Sequence, residues 1–387
     1  MIKVVVACDS FKGSLTAAEA TASAAVGVKD ALGCNADIVD IPVADGGEGT
    51  ATIITAALGG KSVHCRSHDA IGRSVECCYG IVDAGGMSPL GVIELAEASG
   101  LTRLTESGCD SLRASTRGTG ELIADAYFRG CRRFVIGLGG SATTDGGTGL
   151  LRALGVRFLD SRGIEIGEGG GELPRLASID MSHARKDILE CRFTILCDVT
   201  NPLTGVSGAA AVFAPQKGAS AGDVEILERG LARYAAVIRD TFGIDVAQMA
   251  GAGAAGGTAA AFMAFFNSEI SRGIAATLDL CGFEKKVCDA DLVITGEGKI
   301  DLQTLGGKAP MGVLEVACRH KVPVVVLAGS VSDSLRLCEA GFAGVYPINP
   351  PGMPLEEAMR TDVAGRNLRD TASRVVRSRF AHVIGQG

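Results

Sequence analysis

Five short loops in this 387-residue chain bring together the residue types that handle anions, metals and protons. Asp9-Ser10-Phe11-Lys12-Gly13-Ser14 sets a carboxylate and a lysine beside a glycine and two hydroxyls, and Asp45-Gly46-Gly47-Glu48-Gly49 places two carboxylates among three glycines. Gly139–Gly147 holds four glycines, three hydroxyls and Asp145. Asp198-Val199-Thr200-Asn201 and Gly296-Glu297-Gly298-Lys299-Ile300-Asp301 add further oxygens and a lysine. A lysine beside open backbone N–H groups at a helix start can cradle a phosphate or carboxylate. A run of glycines and hydroxyls suits a polyphosphate, which is held mainly by N–H and O–H donors. Magnesium takes a few carboxylate oxygens together with phosphate and water, and phosphoryl transfer needs a carboxylate to orient or deprotonate the acceptor. Asp198 and Asp301 are the candidates for those roles, Lys217, Lys299 and Lys308 are the candidates to neutralise transferring charge, and Lys12 supplies the point charge of the first loop. Singly, each loop is equally well a capped turn and each lysine a solvated one. Five at equivalent positions are harder to explain by turn chemistry alone.

Those positions are set by a repeated unit: a short apolar run, then the loop, then an alanine-rich stretch. Ile2–Cys8 leads into the first loop and a helix to about Leu32. Ala36–Val43 leads into the second and a helix near Thr50–Leu58. Arg133–Leu138, Arg192–Cys197, Asp291–Thr295 and Val322–Ala328 repeat the pattern. Continuous apolar strands alternating with helices predict an α/β protein with parallel sheets covered on both faces. Ligands in such sheets bind beyond the carboxyl ends of the strands, where these loops fall. The pattern changes in the middle: Val63–Val82 and Leu90–Leu95 have hairpin-like spacing, Gly167–Leu173 is glycine-rich, and Val224–Thr241 is a long amphipathic helix. The expected organisation is a doubly wound, Rossmann- or flavodoxin-like domain from both chain ends, 1–65 plus 288–387. A second α/β domain, 66–287, is inserted, with the active site in the cleft between them.

Composition narrows the ligand. The 54 glycines are about 14 per cent of the chain, roughly twice the usual share, without the period of a fibrous protein. A net charge of −7, no tryptophan and 4 per cent aromatic residues give no case for nucleic acid or an anionic membrane surface. The longest apolar stretch, Thr258–Phe266, is too short to span a bilayer. The 13 cysteines form no Cys-x-x-Cys pair and mostly sit in apolar runs, which points to free thiols in a reducing cytoplasm. His64, Cys65 and His68 lie on strand and loop without a second ligand pair, so they read as ordinary polar residues rather than a zinc site.

Two nucleotide signatures fail or weaken. Gly307-Lys308 is followed by Ala309 and preceded by leucine at 302, so the Walker A pattern is absent. Gly251, Gly253 and Gly256 match Gly-x-Gly-x-x-Gly, but the preceding residues 243–250 make a poor buried strand, so a helix-leading or close-packed loop is the better reading. Taken together, Asp9–Ser14, Ala44–Thr50, Gly118–Ile123, Gly139–Thr143, Asp145–Gly147, Cys197–Val199 with Asn201–Leu203, Phe213–Ala219, Gly251–Gly257, Thr295–Gly298 with Ile300-Asp301, and Gly307–Pro310 resemble the type 1 glycerate kinase family, in family order. The similarity continues through Ala328–Ser330. Cys8 stands where proline is common, Lys299 where arginine is frequent, and Thr144 where asparagine is common.

The resemblance implies a two-domain enzyme that phosphorylates D-glycerate with ATP and Mg²⁺. The product expected is 2-phosphoglycerate, with the 3-phosphate as the alternative; a homo-oligomer is left open. Asp9, Ser10, Lys12, Asp45, Gly46, Gly47 and Glu48 are expected to bind substrate. Gly139, Gly140, Ser141, Thr143, Asp145, Lys217, Glu297, Lys299 and Lys308 are expected to bind nucleotide. Asp198, Asp301 and Lys12 are the expected catalytic residues, the two aspartates also holding the metal. A nicotinamide-dependent hydroxy-acid oxidoreductase and a non-catalytic hydroxy-acid-binding protein are the competing readings.

Overall fold

β1 (Ile2–Cys8) is apolar at nearly every position, and both of its faces are buried. It lies inside a five-stranded sheet with β2 (Ala36–Asp40), β11 (Leu292–Ile300), β12 (Val324–Val331) and β13 (Gly344–Pro347), in the order β13-β12-β11-β1-β2. Every pairing in that sheet is parallel. Val4, Val6, Cys8, Ile294 and Leu327 pack under the helices Ala17–Leu32 and Thr361–Arg379. Val5, Ala7, Val293 and Val326 alternate to the other face, where the helix Ala309–Arg319 lies against the sheet. Thr16 and Glu19 form a capping box that starts the first helix.

This computed structural model describes residues 1–104, 110–301 and 304–381; Leu302, used above to reject the Walker pattern, lies outside them. The chain divides into two compact units, 1–45 with 274–387, and 46–273. The boundaries thus fall at 45 and 273 rather than near 65 and 288. The reason is pairing: β3 (Lys61–His68) forms an antiparallel hairpin with β4 (Ser74–Ala84), and the helix Thr50–Ala57 packs on β4 and β5 (Met87–Glu94).

The middle unit is built on a mixed six-stranded sheet. β6 (Arg133–Gly137), β9 (Arg192–Leu196) and β10 (Asn267–Ser271) complete it in the order β10-β9-β6-β5-β4-β3. The first four run parallel, and β4 and β3 turn back antiparallel. A separate pair, β7 (Arg157–Leu159) and β8 (Ser178–Asp180), lies outside it. The core of the middle unit centres on Phe134 and Phe193, stacked with centroids 4.7 Å apart, with Phe262 and Phe266 against Phe193. The expected helix 224–241 extends over Ala221–Phe242, opened by a Ser220/Asp223 capping box. No helix among the described residues is long and apolar enough to cross a membrane.

Candidate active site

In the first unit the loops after β1, β2 and β11 meet at the carboxyl end of the sheet, as a parallel sheet requires of its functional loops. With the carboxyl end of β11 itself they line a cavity of about 280 Å³ containing Asp9, Ser10, Lys12, Asp45, Glu297, Lys299 and Lys308. The opposite wall is apolar and includes Phe11, Ile348, Leu355 and Met359. Close approach of backbone makes the site possible: a Cβ on Gly296 would sit 2.4 Å from the Leu327 carbonyl oxygen.

Asp9 is 8 % exposed, and its Oδ1 accepts from the Ser10 N–H at 2.6 Å. Burial, together with the nearby charges of Asp45 and Glu297, pushes its carboxyl up to about 8, against the pull of the Ser10 N–H and Lys12. Glu297 is also raised, chiefly by burial; Lys308 3.8 Å away and the Thr304 hydroxyl at 2.8 Å oppose the shift. Asp301 is half-buried and pairs with the exposed Lys299 at 3.0 Å. Lys12 is exposed at the cavity mouth, so its charge is available to an incoming anion.

The expected residues of the middle unit form a different arrangement. Gly139 N–H donates to the Gly46 carbonyl at 3.2 Å, so the two glycine loops pack backbone to backbone. Lys217 is buried behind the Gly139–Thr143 loop, where its ammonium donates to Ser141 Oγ at 2.7 Å and to the Thr143 carbonyl at 2.6 Å. Burial pulls its pKa down to about 7. Asp145 is fully buried and accepts from Thr116 N–H, Thr116 Oγ1, Gly147 N–H and Gly149 N–H at 2.8–3.1 Å. Its carboxylate is therefore committed to holding this loop to the start of the helix Arg117–Phe128. Thr144, the departure from asparagine, buries a hydroxyl with no partner among the described residues. Asp198 is exposed and accepts from Gly273 N–H at 3.0 Å, while Glu48 is exposed beside the half-buried Gly47.

Glu94 was not anticipated. It ends β5 and is 7 % exposed, and its carboxylate accepts from Ala51 N–H at 2.6 Å and Gly49 N–H at 3.2 Å, pinning the Asp45–Gly49 loop to the helix that follows. Burial raises it to about 7 against those two donors. A glutamate closing the apolar run 90–95 was the available signal. The Gly251–Gly256 pattern, in turn, serves packing: a Cβ on Gly256 would lie 2.0 Å from the Thr143 carbonyl oxygen, and one on Gly253 2.3 Å from that of Pro202. A larger cavity of about 850 Å³ lies elsewhere in the middle unit, where Arg117 pairs with Glu168 and Arg175 with Glu172.

The sequence profile of the glycerate kinase family matches residues 4–379. The chain belongs to the glycerate kinase family. It is 42% identical to a Bacillus subtilis protein named glycerate kinase, over 97% of this chain and 98% of that one. It is 41% identical to the Escherichia coli protein named glycerate 2-kinase, over 93% of each. The crystal structure of a candidate glycerate kinase 2 from Salmonella typhimurium LT2 is similar at a TM-score of 0.86 and 41% identity, covering 98% of this chain and 99% of that one. Glycerate kinase family membership thus extends across both the sheet built from the chain ends and the mixed middle sheet.

Proposed function

We propose that this protein transfers the γ-phosphoryl group of ATP to D-glycerate, giving 2-phosphoglycerate, with the 3-phosphate as the alternative product. The observation that carries the reading is the small charged cavity of the first unit in a chain matching the glycerate kinase family over residues 4–379. Glycerate is a small anion with hydroxyls. Lys12 supplies the charge for its carboxylate, Ser10 a hydroxyl, and Asp9 and Asp45 oxygens for its hydroxyl groups. Gly46, Gly47 and Glu48 complete the substrate loop. Gly140 and Ser141 present glycine backbone and a hydroxyl to the nucleotide's phosphates, while Gly139, whose N–H donates to the Gly46 carbonyl, and Thr143, whose hydroxyl is buried, hold the loop in shape. Lys217 and Asp145 shape that loop from within, and Glu297, Lys299 and Lys308 supply charge. The doubly wound, flavodoxin-like description of the first unit fits a site at the ends of its parallel strands.

The donor set fits magnesium delivered with nucleotide phosphates. Among the described residues no three His, Cys, Asp or Glu side chains converge to form an all-protein cage, and magnesium needs only one or two carboxylates besides phosphate and water. One of Asp198 and Asp301 would hold it, and it would neutralise charge on the transferring phosphoryl group.

The test is incubation with D-glycerate, ATP and Mg²⁺ followed by phosphorus NMR. ADP with a phosphomonoester coupled to a single proton is the result expected for the 2-phosphate; coupling to two protons indicates the 3-phosphate. No ADP above background overturns the kinase reading. NADH should not bind, because the glycines of its apparent motif are used to pack loops on one another.

A further inference from the structure

We propose that Asp9 is the catalytic base, the group that takes the proton from the reacting hydroxyl of glycerate. This rests on the kinase reading and replaces Asp198 and Asp301 in that one role.

The geometry singles out Asp9. Its Oδ1 is fixed by the Ser10 N–H at 2.6 Å, which orients the carboxylate without using the second oxygen. Its own N–H donates to the Gly296 carbonyl at 2.8 Å, so the residue is anchored from both sides at the junction of β1 and β11. It lines the cavity that Ser10, Lys12 and Lys308 also line, where a hydroxy acid's carboxylate finds positive charge. The two aspartates it displaces are placed differently. Asp301 is ion-paired with an exposed lysine, and Asp198 is exposed and accepts a backbone N–H.

Its surroundings also suit a base. The groups that face it are Asp45 from the loop after β2, Glu297 from β11, and Lys12 from its own loop, with Lys308 balancing Glu297. Burial first, and then two acids against one nearby lysine, raise its proton affinity, so that it ionises at about 8. A carboxylate of that strength accepts a proton from an alcohol more readily than an exposed one, and it is ionised in useful amounts near neutral pH. In the step itself the glycerate O–H bond breaks and its proton passes to the Asp9 carboxylate. The oxygen's electron pair forms the bond to the γ-phosphorus, and the bond to the β-phosphate oxygen breaks, its pair leaving with ADP.

The experiment is the pH profile of kcat and kcat/KM for D-glycerate in wild type, Asp9→Asn and Asp45→Asn. In wild type, activity should rise with pH through a midpoint near 8. Asp9→Asn keeps the carbonyl oxygen that accepts from Ser10, and should lower kcat by about 10²–10⁴-fold with a small change in KM. Asp45→Asn removes a repelling charge and should move the midpoint down by about one pH unit. Asp45→Asn reads the same group without altering it, so the proposal remains falsifiable if Asp9→Asn does not fold. Asp9→Asn with kcat within a few-fold of wild type, or a raised KM at unchanged kcat, overturns the proposal. An unmoved midpoint in Asp45→Asn does so too. Wild type that forms no ADP from D-glycerate and ATP would instead overturn the kinase reading itself.

Discussion

Lys217 and Glu94 show what burial does to a charged side chain. A buried ammonium that stays near neutral pH on the verge of losing its proton is costly, and it persists because it ties Ser141 Oγ and the Thr143 carbonyl together. Lys217→Met should keep the packing and lose the tie, raising KM for ATP about tenfold while leaving KM for glycerate within two-fold, as steady-state kinetics would read. Glu94 carries the opposite sign. Unfolded, it ionises at its ordinary value of 4.5; folded, at about 7. Between those values the folded state binds the extra proton, so this group's contribution to stability falls as pH rises through the window. Glu94→Gln lacks that loss. Its stability deficit relative to wild type, measured by urea melts, should shrink by roughly 1–3 kcal/mol between pH 5 and pH 8. Sequence made Lys217 visible as a charge near a glycine loop. It could not show that the side chain reaches the loop from the interior, because a lysine's direction is decided by tertiary packing and its default is solvent.

At the level of elements, strands were the most legible part. β1, β6 and β9 begin where their apolar runs begin, because strands buried on both faces leave unbroken hydrophobic signatures. The glycines were harder to read. Those of 139–147 read as bare amides for a polyphosphate, yet Gly139 packs on the Gly47 backbone and Gly147 on Thr258 and Ala261, whereas at 251–256 the close-packed reading agrees with the structure. Gly256 has φ +63° and its α-hydrogen faces the Thr143 carbonyl. Gly256→Ala should therefore destabilise by about 2 kcal/mol or more and also raise KM for ATP, since Thr143 belongs to the proposed phosphate loop. Thermal melts and kinetics would check both. Gly27 tests packing against propensity. Alanine in mid-helix normally gains about 1 kcal/mol over glycine. Here the new Cβ would lie 2.2 Å from the Arg369 carbonyl oxygen of the partner helix. Gly27→Ala should lower the melting temperature; a rise would show that the helix pair can part without cost.

For the molecule as a whole, the division of the chain into two units follows from which strands pair with one another. The alternation at both ends revealed one sheet assembled from distant segments, but the edges of the insertion were misjudged, because β3 is half polar and its allegiance is settled only by pairing with β4. The middle unit is continuous in sequence, with its own sheet and core. Residues 46–273 expressed alone should therefore melt cooperatively, as followed by circular dichroism, whereas 1–45 alone should show no folded signal. That asymmetry has a consequence for how the protein is made. Lys3 hydrogen-bonds to Asp291, 288 residues further along, and β1 lies between β2 and β11. At about 5–20 residues per second on the ribosome, β1 waits roughly 15–60 s for its central neighbour, with an apolar strand edge unpaired throughout. During synthesis this is the segment most in need of a chaperone. Slower translation before β11 should lower the soluble yield even though no residue of the finished enzyme has changed.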